Sequence, residues 1–323
     1  MSKKIAVIGS MNVDLTSRVP RFLLPGETLQ GYDFHIYPGG KGGNQAVAAS
    51  KLCEGVLMLG KLGSDANAGI YREVFKTQRI DDSCVETAPD INTGTAVIEV
   101  DTSSGDNRIV YIPGANQLVD REQVDRHWDR LMACDIFLLQ LEIPLDTVVY
   151  AVKRLKEAGK TIILDPAPAQ ALPAELLRNV DYITPNEVEL GLLTGLPTDT
   201  PEQMMAAGQQ LLQMGVLNVV FKAGKQGAWH VSAAGQAHYP GFTVEAVDTT
   251  AAGDSFNAGL AAALAQGKDI AQAVVYANAV GALSTTGAGA QGAMPTREEV
   301  DAFLKANLAD KNRQENTNDR AGK

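Results

Sequence analysis

Short apolar runs recur along this chain, and segments with helical spacing lie between most of them. The first run, Ile5–Ile8, ends at Gly9 and has no polar residue on either face, which is typical of a strand buried on both sides. The other runs lie at residues 56–59, 136–141, 161–164, 182–183 and 218–221. Helical patterns cover residues 43–52, 145–158 and 201–214. This alternation predicts a three-layer α/β/α fold with a mainly parallel sheet.

Two segments, residues 14–37 and 93–111, depart from the alternation. They contain alternating apolar and polar residues and turn-rich stretches, which predict antiparallel hairpins. In the second segment, turn residues separate Thr95–Val100 from Arg108–Tyr111. A small β-sheet attached to an α/β body is suited to act as a lid over a cleft. We therefore expect one α/β domain over residues 1–308, with a β lid formed by these two segments.

The last part of the chain contains two further helical patterns and then a polar segment. The helices are predicted over residues 251–264 and 269–283. Residues 309–323 are mostly polar or charged and have almost no apolar side chains to bury. We expect them to form a disordered tail that takes no part in catalysis.

The acidic balance of the chain excludes some classes of partner. With 28 Lys and Arg against 38 Asp and Glu, the formal net charge is −10, which argues against a general nucleic-acid-binding protein. No stretch approaches the roughly 20 apolar residues that cross a bilayer. The three cysteines, Cys53, Cys84 and Cys134, are far apart, which indicates a reducing compartment. We expect a cytoplasmic protein that binds neither nucleic acid nor membranes.

The strongest chemical signal is the segment Val247–Gly259, where small residues lead into a helix with Asp254 in its first turn. The amides of Ala252, Gly253 and Asp254 lack partners within the helix, and the helix dipole adds partial positive charge. Such a helix start can bind a transferring phosphoryl group, and a carboxylate beside it could take a proton from a hydroxyl. On local physics alone, Asp254 could equally serve only to support the helix start.

A second signal is the loop Tyr37–Gln45, in which four glycines surround Lys41. Its backbone can approach a ligand closely, and Asn44 supplies both a donor and an acceptor. Asn12 and Asp14 follow the first strand, at the edge where open α/β sheets bind ligands. An amide and a carboxylate suit sugar hydroxyls. The alternatives are a flexible loop with a solvated lysine, and a turn formed by the Asn and Asp side chains.

The third signal is the pair Asn186 and Glu189. Asn186 could cap a helix, with Glu189 completing a capping box. The functional alternative places Asn186 near a phosphate and Glu189 near hydrated Mg²⁺, which favours few carboxylates together with waters and phosphates. Both interpretations stay open at this point.

Together these segments carry a family resemblance. Gly39–Ala46, the Asn186 and Glu189 pair, and Asp248–Asp254 resemble the ribokinase branch of the PfkB carbohydrate kinase family in order and separation. The resemblance leaves only the polar tail outside it. It implies an ATP-dependent kinase that phosphorylates the 5-hydroxyl of a pentose, with D-ribose, giving ribose 5-phosphate, as the first choice.

The resemblance also implies a role for each matching position. Asp254 would be the catalytic base, and the amides of Ala251, Ala252 and Gly253 the anion hole. The sugar contacts would be Asn12, Asp14, Gly40, Lys41, Gly42, Gly43, Asn44, Glu142 and Asp254. The ATP contacts would be Asn186, Lys222, Ala223, Gly224, Lys225, Gln226, Gly227, Gly253 and Asn278. Glu189 would act on Mg²⁺ through water.

A monovalent cation, normally K⁺, is also implied by the resemblance. Its ligands would come from Asp248, Thr250, Ser284, Gly287, Gly289 and Ala293, several of them through backbone carbonyls. A cation there would order the loop that builds the anion hole without touching the substrate. Lid strands of this family often pair between two subunits, which implies a homodimer, and an exposed lid face would be the physical motive.

Two positions depart from the family pattern. Lys222 stands where a threonine is usual, and Asn278 stands where a histidine is frequent. A lysine could contact the ATP phosphates as a point charge, or it could disturb the pocket.

Other functions stay open at this stage. Within the family, 2-deoxyribose, another sugar or a nucleoside is the alternative substrate. From other classes, the alternatives are a non-catalytic sugar-binding protein of periplasmic type and a catalytically silent relative that acts as a regulator.

Overall fold

A computed structural model describes residues 3–307 of the chain. Its strands are β1 (Ile5–Ile8), β2 (Asn12–Val19), β3 (Asp33–Gly39), β4 (Leu57–Leu62), β5 (Asp81–Thr87), β6 (Gly94–Asp101), β7 (Asn107–Ile112), β8 (Ile136–Leu139), β9 (Thr161–Leu164), β10 (Tyr182–Ile183), β11 (Asn218–Lys222), β12 (Ala228–Ser232) and β13 (Gly235–Tyr239). Its helices are α1 (Lys41–Leu52), α2 (Ala66–Thr77), α3 (Arg121–Arg126), α4 (Trp128–Met132), α5 (Leu145–Glu157), α6 (Ala174–Arg178), α7 (Glu187–Thr194), α8 (Pro201–Gln213), α9 (Ala252–Ala265) and α10 (Ile270–Ser284), followed by helical residues 297–307.

The main sheet has nine strands within the described residues, in the order β13-β12-β11-β10-β9-β8-β1-β4-β5. Strands β11 through β5 in that order pair in parallel, and only β12 and β13, at one edge, run antiparallel to their neighbours. This topology confirms the predicted three-layer class. All six predicted strand runs form strands of this sheet.

Alternate residues of the central strands enter two different cores. In β1, Ile5 and Val7 belong to the core that includes residues of α1, α9 and α10, whereas Ala6 and Ile8 belong to the core that includes residues of α5 and α8. Successive side chains of a strand point to opposite faces, so a fully apolar strand needs helices on both sides. The absence of polar residues in these runs therefore follows from the layer structure.

The lid is a separate four-stranded sheet in the order β3-β2-β6-β7. The β2–β3 and β6–β7 pairs are antiparallel hairpins, as predicted. The two hairpins join through β2 and β6, which run parallel over eight residues of each strand. That parallel seam was not predicted, because no local pattern states which strand of one hairpin meets the other.

Several features differ from the sequence-based expectations or lie beyond them. The sequence analysis did not identify β5 or the β12–β13 hairpin, which lie at the two ends of the main sheet. The predicted tail, residues 309–323, lies outside the described residues, and the boundaries of the predicted domain remain a prediction. No helix within residues 3–307 combines the length and the apolar character needed to cross a membrane.

Candidate active site

Glycines bring the start of α1 against the chain that leaves β1. Gly40 has a φ of +82°, and a β-carbon there would lie 2.6 Å from the backbone nitrogen of Asn12. A β-carbon on Gly42 would lie 2.6 Å from both the backbone nitrogen and the oxygen of Ser10. Only glycine permits this conformation and this approach together. The glycine-rich loop is therefore a packed part of the site and not a flexible connector.

Glu142 joins this junction from the segment after β8. Its carboxylate accepts a hydrogen bond from Ser10 Oγ at 2.5 Å and one from the backbone nitrogen of Lys41 at 3.0 Å. The predicted sugar contact Glu142 thus lies beside the glycine-rich loop, although about 100 residues separate them in the chain.

Asn12 and Asp14 lie on β2, at the base of the lid. Asn12 is 3% exposed, and its Oδ1 accepts a hydrogen bond from Asn116 Nδ2 at 2.7 Å. Burial, together with the negative charge of Glu142, raises the pKa of Asp14 to about 6. A half-buried carboxyl that has no cationic partner within residues 3–307 is suited to accept hydrogen bonds from ligand hydroxyls.

Asp254 lies in the first turn of α9 and is 5% exposed. Its two carboxylate oxygens accept hydrogen bonds from Asn44 Nδ2 at 3.1 Å and from Gln45 Nε2 at 3.0 Å. Burial raises the pKa of Asp254 to about 6, the charge of Lys41 opposes that shift, and the charge of Asp165 adds to it. A carboxylate poised near neutral pH has the properties of a general base.

The start of α9 presents free amides beside Asp254. Ala251 adopts the left-handed region, with φ +60°, and its carbonyl accepts the Ser255 amide at 2.9 Å. The Ala252 amide donates to Thr249 O at 3.2 Å, so a turn already uses it. Of the first three residues of α9, Gly253 and Asp254 have amides with no acceptor among the described residues. Of the predicted anion-hole amides, that of Ala252 is engaged in a turn, whereas those of Ala251 and Gly253 have no acceptor among the described residues.

A cavity of about 610 Å³ opens in front of these amides. Its walls include most of the predicted nucleotide contacts, namely Asn186, Lys222, Gly224, Lys225, Gly227, Gly253 and Asn278. Of the described residues, the predicted contacts Ala223 and Gln226 are not part of its wall. An apolar stretch that the sequence analysis did not single out, including Phe242, Val244 and Ala246, completes it. The cavity is large enough for a nucleotide, with an apolar end for a base.

Lys41 extends from the glycine-rich loop into the same cavity. Burial by itself would lower the pKa of Lys41, but the carboxylates of Asp254, Asp165, Glu142 and Glu189 raise it above its ordinary value. Lys41 is therefore a half-buried ammonium group that is charged at neutral pH, at the side of the cavity nearest the glycine-rich loop. Such a charge favours the binding of a phosphate.

Asn186 and Glu189 form a complete capping box at the start of α7. The Glu189 amide donates to Asn186 Oδ1, and the Asn186 amide donates to Glu189 Oε2, both at 2.8 Å. Both residues also line the cavity. The two interpretations left open above are therefore compatible, since the cap fixes the carboxylate at the cavity wall. Within residues 3–307 there is no group of three or more His, Cys, Asp or Glu side chains that could hold a metal ion.

The structure brings some of the predicted cation ligands close together. The Asp248 carboxylate accepts the amides of Thr250 at 2.9 Å and Gly289 at 3.0 Å, which ties residues 286–293 to the segment before α9. The hydroxyl of Ser284 instead donates to Gly281 O of its own helix at 2.9 Å. Gly287 lies next to Ala293.

Polar residues that the sequence analysis missed connect these groups. Gln45 Nε2 donates to both Asp165 and Asp254, and Gln140 Nε2 donates to Gln45 Oε1 at 2.6 Å. Gln291, from the cation loop, donates to Asn44 Oδ1 at 3.1 Å. Gln45 could have been found from its place next to Asn44 in the glycine-rich loop. Gln140, Asp165 and Gln291 carry no local signal.

Comparisons with known proteins identify the family to which the chain belongs. A model of the pfkB family carbohydrate kinases matches residues 2–297. The chain belongs to this family and is a carbohydrate kinase. Membership decides against the sugar-binding protein of periplasmic type.

Curated relatives place the chain more closely. It is 39% identical over 306 residues to the ribokinase of Haemophilus influenzae, which covers 94% of this chain and 99% of that protein. It is also 39% identical over 304 residues to the deoxyribokinase of Salmonella typhi, with the same two coverages.

Solved structures share the fold over the same range. The ribokinase of Arabidopsis thaliana, complexed with ribose and ATP, superposes with a TM-score of 0.88 at 32% identity, over 94% of this chain and 99% of that one. A protein of E. coli described as a ribokinase II, in complex with ATP and Mg²⁺, superposes with a TM-score of 0.78 at 26% identity and the same coverages.

Proposed function

We propose that this carbohydrate kinase transfers the γ-phosphate of ATP to the 5-hydroxyl of D-ribose. The observation that carries the proposal is the position of Asp254. It lies between the side-chain amides of Asn44 and Gln45, which donate to it, and the free backbone amides at the start of α9. The proposed sugar site and the proposed phosphate site thus meet at one carboxylate. The ribokinase relative and the structure with ribose and ATP support this choice of substrates.

In the proposed reaction the chain mainly positions groups and supplies charge. Asn12, Asp14, Asn44 and Glu142 hold the sugar at the end of β1, with its 5-hydroxyl against Asp254. Asp254 takes the hydroxyl proton as the sugar oxygen bonds to the γ-phosphorus. The Gly253 and Asp254 amides, with Lys41, stabilise the negative charge on the transferring group.

A divalent metal fits this site. When bound, Mg²⁺ would neutralise part of the charge of the phosphates. Glu189 is the side chain that would hold it through water, because the capping box fixes its carboxylate at the cavity wall.

The segments around Asp248 fit a monovalent cation such as K⁺. The Asp248 carboxylate, together with the backbone carbonyls that the family resemblance implies, would supply oxygen donors for such an ion. A cation there would hold Thr250 and Gly289 in place and so order the start of α9.

Further parts of the proposal concern assembly and location. Apolar side chains crowd the outer strands of the lid, including Phe34, Ile36, Ile109, Val110 and Ile112, and a second copy of the chain would cover them as a homodimer. All three cysteines are free thiols, which suits a reducing compartment such as the cytoplasm.

A second substrate, 2-deoxyribose, is favoured by one specific observation. The deoxyribokinase relative is as similar to this chain as the ribokinase relative is, at 39% identity. The sugar-contact residues therefore have to be tested against both substrates.

The test is ADP release from Mg-ATP with ribose, 2-deoxyribose, fructose and adenosine, each in potassium and in sodium buffer. We expect turnover to be highest on ribose and to depend on potassium. A clear preference for 2-deoxyribose would keep the mechanism and move the substrate assignment. An absence of turnover on all four would contradict the assignment and favour the silent-relative alternative.

A further inference from the structure

Lys222 lies at the end of β11 and lines the cavity in front of α9. Its ammonium nitrogen is 3.1 Å from Asp165 Oδ1, and the side chains of the two residues are 14% and 2% exposed. A β-carbon placed on Gly253 would lie 3.5 Å from the same nitrogen. The ammonium group therefore lies against the helix start that presents the two free amides.

Asp165 connects this lysine to the catalytic base. Its other oxygen accepts a hydrogen bond from Gln45 Nε2 at 3.0 Å, and the same amide donates to Asp254 Oδ1 at 3.0 Å. One carboxylate thus holds the ammonium group of Lys222 on one side and the amide that orients Asp254 on the other.

The charges on the cavity wall indicate what Lys222 does. The wall carries four carboxylates, Asp165, Glu187, Glu189 and Asp254, and three lysines, Lys41, Lys222 and Lys225. Without Lys222 the wall would repel a nucleotide triphosphate more strongly. An ammonium group at this point acts on phosphate oxygens as a point charge.

We propose that Lys222 is a catalytic residue whose ammonium group contacts the transferring phosphoryl group, and that Asp165 is the positioning residue that holds it there. The proposal rests on the proposed kinase reaction. The bond between the γ-phosphorus and the β,γ-bridging oxygen breaks as the bond to the sugar 5-oxygen forms. The hydroxyl proton goes to Asp254, ADP leaves, and Lys222 stays protonated throughout. The departure from the family pattern at this position therefore adds a charge and does not disturb the pocket.

The first test compares Lys222→Met with the double variant Lys222→Met/Asp165→Asn. In the double variant neither member of the buried pair is left as an unpaired charge, and the amide oxygen introduced at position 165 can still accept from Gln45. We expect the single variant to lose thermal stability and the double variant to recover it. We expect turnover to be about 10²-fold below that of the wild type in both variants, because the positive charge that contacts the phosphoryl group is missing. Recovery of turnover together with stability would show that the pair is only structural and would overturn the proposal.

A second test does not depend on the sugar. Calorimetry measures the binding of a non-hydrolysable ATP analogue and of AMP to the wild type and to the double variant. We expect the analogue to bind about tenfold more weakly to the variant, with AMP binding unchanged. Equal effects on the two nucleotides would overturn the role of Lys222. If the wild type phosphorylates none of the sugars offered but the analogue effect is present, the substrate assignment fails, whereas the contact of Lys222 with the terminal phosphate is retained.

The positioning role of Asp165 has its own readout. Lys41 and Asp165 are the charged groups that face Asp254. Neutralising Asp165 removes a negative charge that raises the pKa of Asp254. In Asp165→Asn we expect the acid limb of the pH profile of kcat/KM to move to lower pH by about half a unit or more. A profile that falls in height without moving would contradict this role.

Discussion

At the scale of single residues, the site depends on carboxylates that the fold holds away from water. Asp254 is surrounded by two side-chain amides and the amides of its own helix start, and Lys41 supplies the compensating charge. These groups allow the carboxylate to exist ionised in a buried place while its pKa stays near 6. The same position in water would give an ordinary aspartate that is too weak a base for this task.

Replacing Asp254 by Asn should abolish most of the chemistry while the fold remains. The substitution keeps the side-chain volume but removes the proton acceptor, so turnover should fall about 10²-fold or more. Steady-state kinetics with the preferred sugar checks this, and circular dichroism with analogue binding serves as the control for folding. Wild-type turnover in this variant would rule out Asp254 as the base.

The raised pKa of Asp254 predicts an acid limb in the activity profile. The reaction needs the ionised carboxylate, so kcat/KM should be constant above about pH 7, and the protonation of Asp254 by itself should lower it about tenfold per pH unit below pH 6. The measurement is kcat/KM for the sugar between about pH 5 and pH 9.

Asp14 provides the control for this profile, since burial raises its pKa to about 6 as well. If both carboxyl groups have to be ionised, the acid limb of the wild-type profile is steeper than the limb that a single ionisation gives. In Asp14→Asn the sugar KM should rise and the remaining limb should follow a single ionisation. A variant that loses the limb altogether would assign it to Asp14 and not to Asp254.

At the scale of elements, α9 carries the proposed base and can lie in the core because most of its residues are small. Gly259 faces α10, and a β-carbon there would lie 3.0 Å from Val280 Cβ and 3.1 Å from Ala277 Cα. The close packing of α9 on α10 thus fixes the position of Asp254 five residues earlier in the same helix.

Substituting Gly259 by Val should therefore reduce both stability and turnover. Overpacking at this contact should lower the free energy of unfolding by about 1–3 kcal/mol, measured by urea denaturation. Gly69→Ala in α2 is the matched control, because its β-carbon meets no atom within 4 Å and alanine favours a helix by about 1 kcal/mol. Equal stability of the two variants would mean that the α9–α10 contact adapts freely.

The loop of residues 286–293 is a second element that acts on α9. Its attachment depends on Asp248, which bonds Thr250 and Gly289. In Asp248→Ala both hydrogen bonds and the one carboxylate near the proposed cation are lost, so the ratio of turnover in potassium to turnover in sodium should fall towards one. An unchanged ratio would place the cation elsewhere or remove it from the proposal.

At the scale of the whole molecule, the lid leaves a large apolar surface uncovered. Ile109 and Val110 on β7 are 56% and 62% exposed, and Phe34 on β3 is 58% exposed. Exposed apolar patches of this kind mark sites of association.

Ile109→Glu should therefore convert the proposed homodimer into a monomer, because it places a charge in the contact. Sedimentation velocity measures the oligomeric state, and Leu192→Glu on α7, whose side chain is also exposed and lies outside the lid, is the control. A wild-type chain that sediments as a monomer would contradict the dimer directly.

The amino-acid sequence by itself determined the layers, most of the strand and helix positions, and the segments that form the site. These features are local: apolar runs with a strand or helical period, glycines where the backbone must approach closely, and an acidic residue in a first helical turn. For the same reason the sequence revealed Asp254, Asn44 and Glu189 as candidates but left each with a structural alternative.

Only the tertiary structure decided how these candidates combine. Gln45, Gln140 and Asp165 became part of the site because strands distant in sequence end at the same edge of the sheet. The parallel seam of the lid and the pairing of Lys222 with Asp165 were settled in the same way. The physical reason is that the role of a side-chain amide or a charge depends on the group opposite it, and no local pattern in the sequence contains that neighbour.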